Sequence, residues 1–146
     1  MQWIEIAVDT SARVQLADVT GRAVEALSGS KVKNGMCYLY VPHTTAGITI
    51  NENADPDVVT DIIRGLEKIV PVAGGYRHAE GNSDAHIKAS LMGFSCMVPV
   101  VDGRLALGTW QGIYFCEFDG PRRRKMLIGI AGSKPGEDFR YLESNK

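Results

Sequence analysis

Three histidines are the side chains of this sequence best suited to acid–base chemistry or metal binding, and each lies in a polar junction with glycine nearby. His43 follows a strand-like run, whereas His78 and His86 flank a polar stretch that contains Gly81 and Ser83. Imidazole transfers protons near neutral pH and ligates metal ions. We therefore predict that His43, His78 and His86 converge on one metal or anion site. Three separate surface or capping histidines are the alternative, because no H-x-x-x-H or H-E-x-x-H spacing is present.

Hydroxyl and amide groups follow the first histidine along the chain. Thr44 and Thr45 come directly after it, and Asn51 and Glu52 lie a few residues further on. Such groups could bind a phosphate, or could hold a histidine in place through a second hydrogen bond. The alternative is a threonine-rich strand followed by an acidic turn that caps the next helix.

Trp110 and Gln111 lie between two glycines, Gly108 and Gly112, in a region of strand-like sequence. Glycine within a strand often marks a bulge or the close approach of a ligand. The indole of Trp110 could therefore stack on a planar ring, and the amide of Gln111 could hydrogen-bond to the edge of that ring. A core tryptophan beside a bulge is the alternative.

Four cations in a row, from Arg122 to Lys125, follow a Gly-Pro turn. Guanidinium groups suit phosphate because they form paired hydrogen bonds with it. Along a strand, Arg122 and Arg124 would point to one side and the other two cations to the opposite side, so one ligand cannot contact all four. A solvated loop is the common alternative. A nucleic-acid patch would carry interleaved aromatic residues, which this run lacks.

The composition limits the classes of partner and compartment. The 146 residues include 16 basic and 17 acidic side chains, for a net charge of -1, so no overall field draws nucleic acid or an anionic membrane to the protein. The first residues do not resemble a signal peptide, no stretch is apolar enough to span a membrane, and the three cysteines lack a C-x-x-C spacing. We expect a cytoplasmic protein with reduced cysteines that binds neither nucleic acid nor membrane.

The segments that position these residues alternate between strand-like and helix-like patterns. Residues 4–8 alternate as in a half-buried strand. Asp55 and Pro56 suit the cap and the first position of a helix, whose apolar stripe continues until Pro71. We predict one α+β domain over residues 1–146, with a mostly antiparallel sheet, two to three helices and a polar tail from about residue 133. The other predicted strands cover residues 14–16, 36–41, 47–51, 95–101, 104–109, 112–117 and 125–131. Thr20 could cap a helix over residues 21–27, and Ser83 or Asp84 could cap a helix that reaches Gly93.

Four motifs follow one another over nearly the whole chain, from about residue 3 to residue 131. In this order they resemble the secondary thiamine-phosphate synthase family, which was long catalogued only as an uncharacterised conserved family. The motifs are His43-Thr44-Thr45-Ala46-Gly47 with Asn51-Glu52 and Asp55-Pro56, then Tyr76-Arg77-His78-Ala79-Glu80-Gly81-Asn82 with His86-Ile87-Lys88, then Leu107-Gly108-Thr109-Trp110-Gln111, and finally Asp119-Gly120-Pro121-Arg122.

The resemblance implies a small α+β fold that assembles as a homotrimer, with sites near the subunit boundaries. It also implies a transferase that joins hydroxymethylpyrimidine diphosphate and hydroxyethylthiazole phosphate to give thiamine phosphate and pyrophosphate. Two alternatives stay open, a metal-dependent hydrolase of a phosphorylated metabolite and a non-catalytic oligomeric protein that binds a small anion or a metal.

The expected cofactor is a divalent metal, either zinc or another transition metal at the histidines, or magnesium bound with a diphosphate substrate. Such an ion would act as a Lewis acid on the leaving group. The expected partner is a small phosphorylated substrate. The candidate catalytic residues are His43, His78, His86, Glu52 and Glu80, with the three histidines also as metal ligands, and the candidate substrate- and phosphate-binding residues are Thr44, Thr45, Asn51, Arg77, Asn82, Trp110, Gln111 and Arg122.

Overall fold

The structure of the protein is a computed structural model. It describes residues 1–134 and residue 137, so almost all of the predicted polar tail lies outside the described residues. In chain order the elements are β1 (Gln2–Asp9), β2 (Gln15–Asp18), α1 (Thr20–Ser30), β3 (Gly35–Tyr40), β4 (Ala46–Glu52), α2 (Pro56–Ile69), α3 (Ser83–Met92), β5 (Ser95–Val101), β6 (Arg104–Leu105), β7 (Gln111–Glu117) and β8 (Arg123–Gly132).

Two antiparallel sheets and three helices make up the described part of a single α+β domain, which confirms the predicted fold class. The larger sheet has the strand order β1-β8-β3-β5-β6, and the smaller one has the order β2-β7-β4. The main core lies between the sheets and includes Leu39, Phe115 and Ile128, each 1% exposed or less. No helix within the described ranges is both long and apolar enough to cross a membrane.

Local sequence signals explain the start of α2. The Asp55 side chain accepts a hydrogen bond of 2.9 Å from the N–H of Asp57, and Pro56 occupies the first helical position, as predicted. The apolar stripe of α2 packs on a second core cluster that contains Ala85, Ala89 and Phe118.

Three predicted boundaries are wrong. The strand predicted over residues 104–109 ends at Leu105, because a turn begins before Trp110. Thr20 does not cap α1; its hydroxyl accepts a hydrogen bond of 2.8 Å from the N–H of Ile113 instead. The N-cap of α3 is Asn82, so Ser83 is the first helical residue and His86 is the fourth.

Close backbone contact fixes the end of α3 against the start of β4. A Cβ on Gly47 would lie 2.6 Å from the carbonyl oxygen of Gly93, so only glycine allows this approach. That oxygen accepts a hydrogen bond of 3.0 Å from Ile48, and the neighbouring carbonyl of Phe94 accepts one of 2.7 Å from Val41. The loop between β3 and β4, which carries His43, is therefore held beside α3.

Candidate functional site

A cleft of about 750 Å³ opens where the β3–β4 loop, the start of α3 and the β7–β8 turn meet. Within the described part of the chain, it gathers most of the predicted site residues. Its walls are formed by residues 40–45, by Glu80, Asn82, His86 and Phe94, and by Asp119, Arg122 and Arg124.

His43 is held as a neutral hydrogen-bond donor. Its Nε2 accepts a hydrogen bond of 2.9 Å from the backbone N–H of Lys125, which places the proton of the neutral ring on Nδ1. Burial lowers the pKa of His43 below its ordinary value, and the positive charge of Arg124 lowers it further. Near pH 7 the ring is therefore uncharged, and its Nδ1–H has no acceptor among the described residues.

A buried ion pair forms the floor of the cleft. Arg124 and Glu117 are 4% and 0% exposed and are joined by two hydrogen bonds from Nε, of 2.9 and 3.1 Å, and by a contact from Nη2. Arg124 Nη2 also donates to Thr45 Oγ1 at 2.8 Å, and Thr10 Oγ1 donates to Glu117 at 2.7 Å. Burial alone would raise the pKa of Glu117, but the hydrogen bonds from Arg124 and Thr10 outweigh it and hold the pKa below its ordinary value.

A second network of hydrogen-bonded side chains forms one wall of the cleft. Asp119 Oδ2 accepts hydrogen bonds from Asn82 Nδ2 at 2.9 Å and from Arg122 Nη2 at 3.1 Å. Arg122 Nε also donates to the backbone carbonyl of Asp119 at 2.8 Å. The guanidinium of Arg122 is thus oriented, but half of its side chain is still exposed.

Buried charges anchor the start of α3 and so position His86. Asp84 and Lys88 are fully buried and bond to each other at 3.0 Å, while Arg13 reaches both oxygens of Asp84 at 3.0 and 3.2 Å. Burial would raise the pKa of Asp84, but the hydrogen bonds from Arg13 and Lys88 lower it overall. Because the first turn of α3 is tied down on its inner side, the His86 side chain on that turn has a defined place in the cleft wall.

His78 faces a different cavity. This second cavity, of about 410 Å³, is lined by Arg77, His78 and His86, so His86 separates the two cavities. The rings of His78 and His86 meet edge to face, 5.7 Å apart, and His78 Nε2 lies 3.5 Å from Glu80.

The predicted three-histidine metal site is wrong. Within the residues that the structure describes, no group of three or more His, Cys, Asp or Glu side chains is placed to hold a metal ion. The reason is spatial: His43 and His86 share the first cleft, whereas His78 lines the second.

Four further candidates lie at the opposite end of the smaller sheet. Asn51 and Glu52 end β4, Glu52 is paired with Gln111, and Trp110 is 62% exposed in the adjoining turn. The seven residues of β4 span about 20 Å, so these side chains lie outside the cleft. Their binding roles stay predictions.

Sequence reasoning missed the buried residues of the cleft. Arg124 and Glu117 were not candidates, and neither was Asp119 as the partner of Arg122. The available signal was the alternation of the basic run, since Arg122 and Arg124 do face the cleft while Arg123 and Lys125 are exposed on the other face.

A family model described as "UPF0047 protein YjbQ-like" matches residues 4–133. UPF0047 protein MJ1081 of Methanocaldococcus jannaschii is 55% identical over 127 residues, which cover 87% of this chain and 92% of that protein. UPF0047 protein YugU of Bacillus subtilis is 51% identical over 129 residues, covering 87% and 97%. The crystal structure of a YjbQ/UPF0047 family protein from Clostridium acetobutylicum superimposes with a TM-score of 0.87 at 55% identity, over 88% of this chain and 99% of that one.

These matches contradict the resemblance to the secondary thiamine-phosphate synthase family that the motifs suggested. The matching family and the relatives carry the UPF0047 name, and none of their names indicates thiamine-phosphate synthesis. The predicted transferase activity is therefore not supported. The two alternatives, a metal-dependent hydrolase and a non-catalytic anion- or metal-binding protein, find no support in these names either. The homotrimer, the divalent cofactor and the cytoplasmic location stay predictions.

Proposed function

This chain belongs to the UPF0047 YjbQ-like family, and from its cleft we propose that it is an enzyme that binds a small phosphorylated substrate and transfers a proton to or from it. The observation that carries the proposal is the arrangement of Arg122, Arg124 and the Nδ1–H of His43 around one cavity of about 750 Å³. That volume lies within the usual range for small-molecule sites.

The donors around the cleft suit a phosphate group. Guanidinium groups and a neutral imidazole N–H all donate to anionic oxygens, and the hydroxyl of Thr44 lines the same wall. The positive charge of Arg124 lowers the pKa of His43 more strongly than Glu117 raises it, and Arg122 also lowers it, with a smaller effect.

His86 is the proposed proton-transfer group. The Nε2 of His43 is already occupied by the N–H of Lys125, so His43 can only donate. The ring of His86 makes no hydrogen bond to any described residue, and it lines the same cleft as the carboxylate of Glu80. Imidazole is the side chain best matched to proton transfer near neutral pH.

The binding step can be tested with a matched pair of arginine variants. We expect calorimetric titration with inorganic phosphate and simple phosphate monoesters to give about a tenfold weaker Kd for Arg122→Gln, because one charge-assisted contact is lost. Arg123→Gln is the control, since Arg123 is 77% exposed on the opposite face, with its Nε 3.9 Å from the exposed carboxylate of Asp9. Equal Kd values for the wild type and Arg122→Gln would show that phosphate does not bind in this cleft.

The chemical step can be tested with a matched pair of histidine variants. Incubation with a set of phosphorylated metabolites, followed by mass spectrometry, should reveal a product that His86→Gln no longer forms while it still binds phosphate within about twofold. His78→Gln is the comparison: His78 lines the other cavity but meets the His86 ring at 5.7 Å, so we expect it to reduce product formation without abolishing it. A product formed equally by His86→Gln would exclude the proposed role of His86.

A further inference from the structure

The second cavity has walls of a different chemistry from those of the cleft. Its volume of about 410 Å³ lies within the usual range for small-molecule sites. It is lined by Tyr76, Arg77, His78, Ser83, His86 and Ile87. Four of these six side chains end in a planar π system, namely two imidazoles, a phenol ring and a guanidinium group. None of the six is a carboxylate, so the walls do not favour a cationic ligand.

The ring of Tyr76 is already held in place in the wall of this cavity. Its hydroxyl donates a hydrogen bond of 2.7 Å to the backbone carbonyl of Pro71. The ring lies against Gly74, where a Cβ would come within 2.8 Å of Tyr76 Cε2. Because the polar tip of Tyr76 is paired within the loop, the part of this side chain that is left for a ligand is its ring.

Ile87 adds an accessible apolar side chain to the same cavity. It is 39% exposed on α3, and Leu91, one turn further along the helix, is 59% exposed. Of these two residues, only Ile87 lines the cavity. The guanidinium group of Arg77 completes the wall, and such groups stack on aromatic rings. An aromatic ring is therefore the ligand group that these side chains fit best.

Resting on the proposed function, we propose that the second cavity binds an aromatic ring of the same substrate whose phosphate lies in the cleft. The two cavities adjoin, because His86 lines both of them and because Glu80, in the wall of the cleft, lies 3.5 Å from His78 Nε2 in the wall of the second cavity. The substrate class is then a phosphate ester of an aromatic alcohol. His86, the proposed proton-transfer group, lies between the phosphate and the ring, beside the atoms that join them.

A series of phosphate esters provides the first test. Calorimetric titration of the wild type compares benzyl, phenethyl and phenylpropyl phosphate with ethyl phosphate. We expect at least one of the aromatic esters to bind about tenfold more tightly than ethyl phosphate, because its ring leaves water for the second cavity. The cyclohexyl analogue of that ester should bind about threefold more weakly than the ester itself, since a saturated ring keeps the apolar area but loses the stacking.

Two residues of α3 provide matched variants. Ile87→Ala shortens an apolar side chain inside the cavity, whereas Leu91→Ala shortens one outside it. We expect Ile87→Ala to weaken binding of the aromatic ester about three- to tenfold while its Kd for inorganic phosphate changes by less than about twofold. Leu91→Ala should leave both Kd values within about twofold of the wild type. Both positions are exposed, so neither substitution removes part of the core.

Ring-current shifts give a second reading that needs no functional variant. In a ¹³C–¹H correlation spectrum of the wild type, the methyl signals of Ile87 should shift with the aromatic ester and move far less with its cyclohexyl analogue. Equal Kd values for these two esters, a preference for the ring that survives Ile87→Ala, or unshifted Ile87 methyl signals would overturn the assignment of the second cavity while phosphate binding in the cleft stands. If neither inorganic phosphate nor any of the esters binds, the proposed function is wrong, and this inference is wrong with it.

Discussion

Replacing Glu117 by glutamine tests whether the floor of the cleft is a tightly bound ion pair. The carboxylate of Glu117 is fully buried and accepts hydrogen bonds from Thr10, Arg124 and the N–H groups of Phe118 and Asp119. A glutamine has one acceptor oxygen, and its NH₂ would face other donors. The charge of Arg124, 4% exposed, would also lose its counter-charge.

The expected loss of stability is large for a substitution that exchanges one oxygen for an NH₂ group. Breaking a buried ion pair by removing one partner destabilises proteins by about 3–5 kcal/mol. For a chain of this length that corresponds to a fall in Tm of roughly 10 °C. Exposed pairs contribute only about 0–1 kcal/mol, which provides a matched comparison. Glu5→Gln removes the partner of Lys125 in an exposed pair of 3.0 Å, and we expect it to shift Tm by only about 1–3 °C.

Urea unfolding and thermal unfolding of both variants are the assays. The same substitution should have an opposite effect on phosphate binding, because an uncompensated Arg124 makes the cleft more positive. At a temperature below its unfolding midpoint, where the variant is folded, Glu117→Gln should therefore bind inorganic phosphate at least as tightly as the wild type. If Glu117→Gln cost no more stability than Glu5→Gln, the ion pair would not hold the floor of the cleft together.

Three further predictions follow from the pKa shifts. Because the pKa values of Asp84 and Glu117 are lowered, the ion pairs of these carboxylates stabilise the fold fully at any pH above the ordinary carboxyl pKa of about 4. The free energy of unfolding should then fall as the pH drops through the lowered pKa values, and urea unfolding at several pH values can measure this. Phosphate in the cleft should raise the pKa of His43, which NMR titration of its ring protons can show. Burial raises the pKa of the three cysteine thiols to about 11 or 12, so a thiol reagent at pH 8 should label them slowly until the protein unfolds.

Local signals made part of this fold predictable. The Asp55-Pro56 start of α2 and its apolar stripe are confirmed, because capping and helical periodicity act within a few residues. Strands such as Ser95–Val101 are also confirmed, since alternation reflects one buried face. The strand predicted over residues 104–109 fails because its pattern says nothing about whether a partner strand continues beside it.

The sequence predicted a site residue correctly only where the side chain has suitable chemistry and its loop also reaches the cleft. His43 and His86 share a cleft because both follow or begin an element whose end reaches the same side of the molecule. His78 has the same chemistry in the sequence, yet its loop turns it towards a second cavity. Asn51 and Glu52 are near His43 in sequence, but an extended strand separates them by its full length.

The buried charges were beyond sequence reasoning for a different reason. Glu117 and Arg124 belong to different sheets and meet only because the turn between β7 and β8 folds one over the other. Charged residues are almost never fully buried unless they are paired, so each one taken alone predicts an exposed side chain. A buried pair is rarely more stabilising than an apolar pair of similar size. Its position at the floor of the cleft, with the Arg124 charge acting on His43, therefore favours a role in binding over a role in stability.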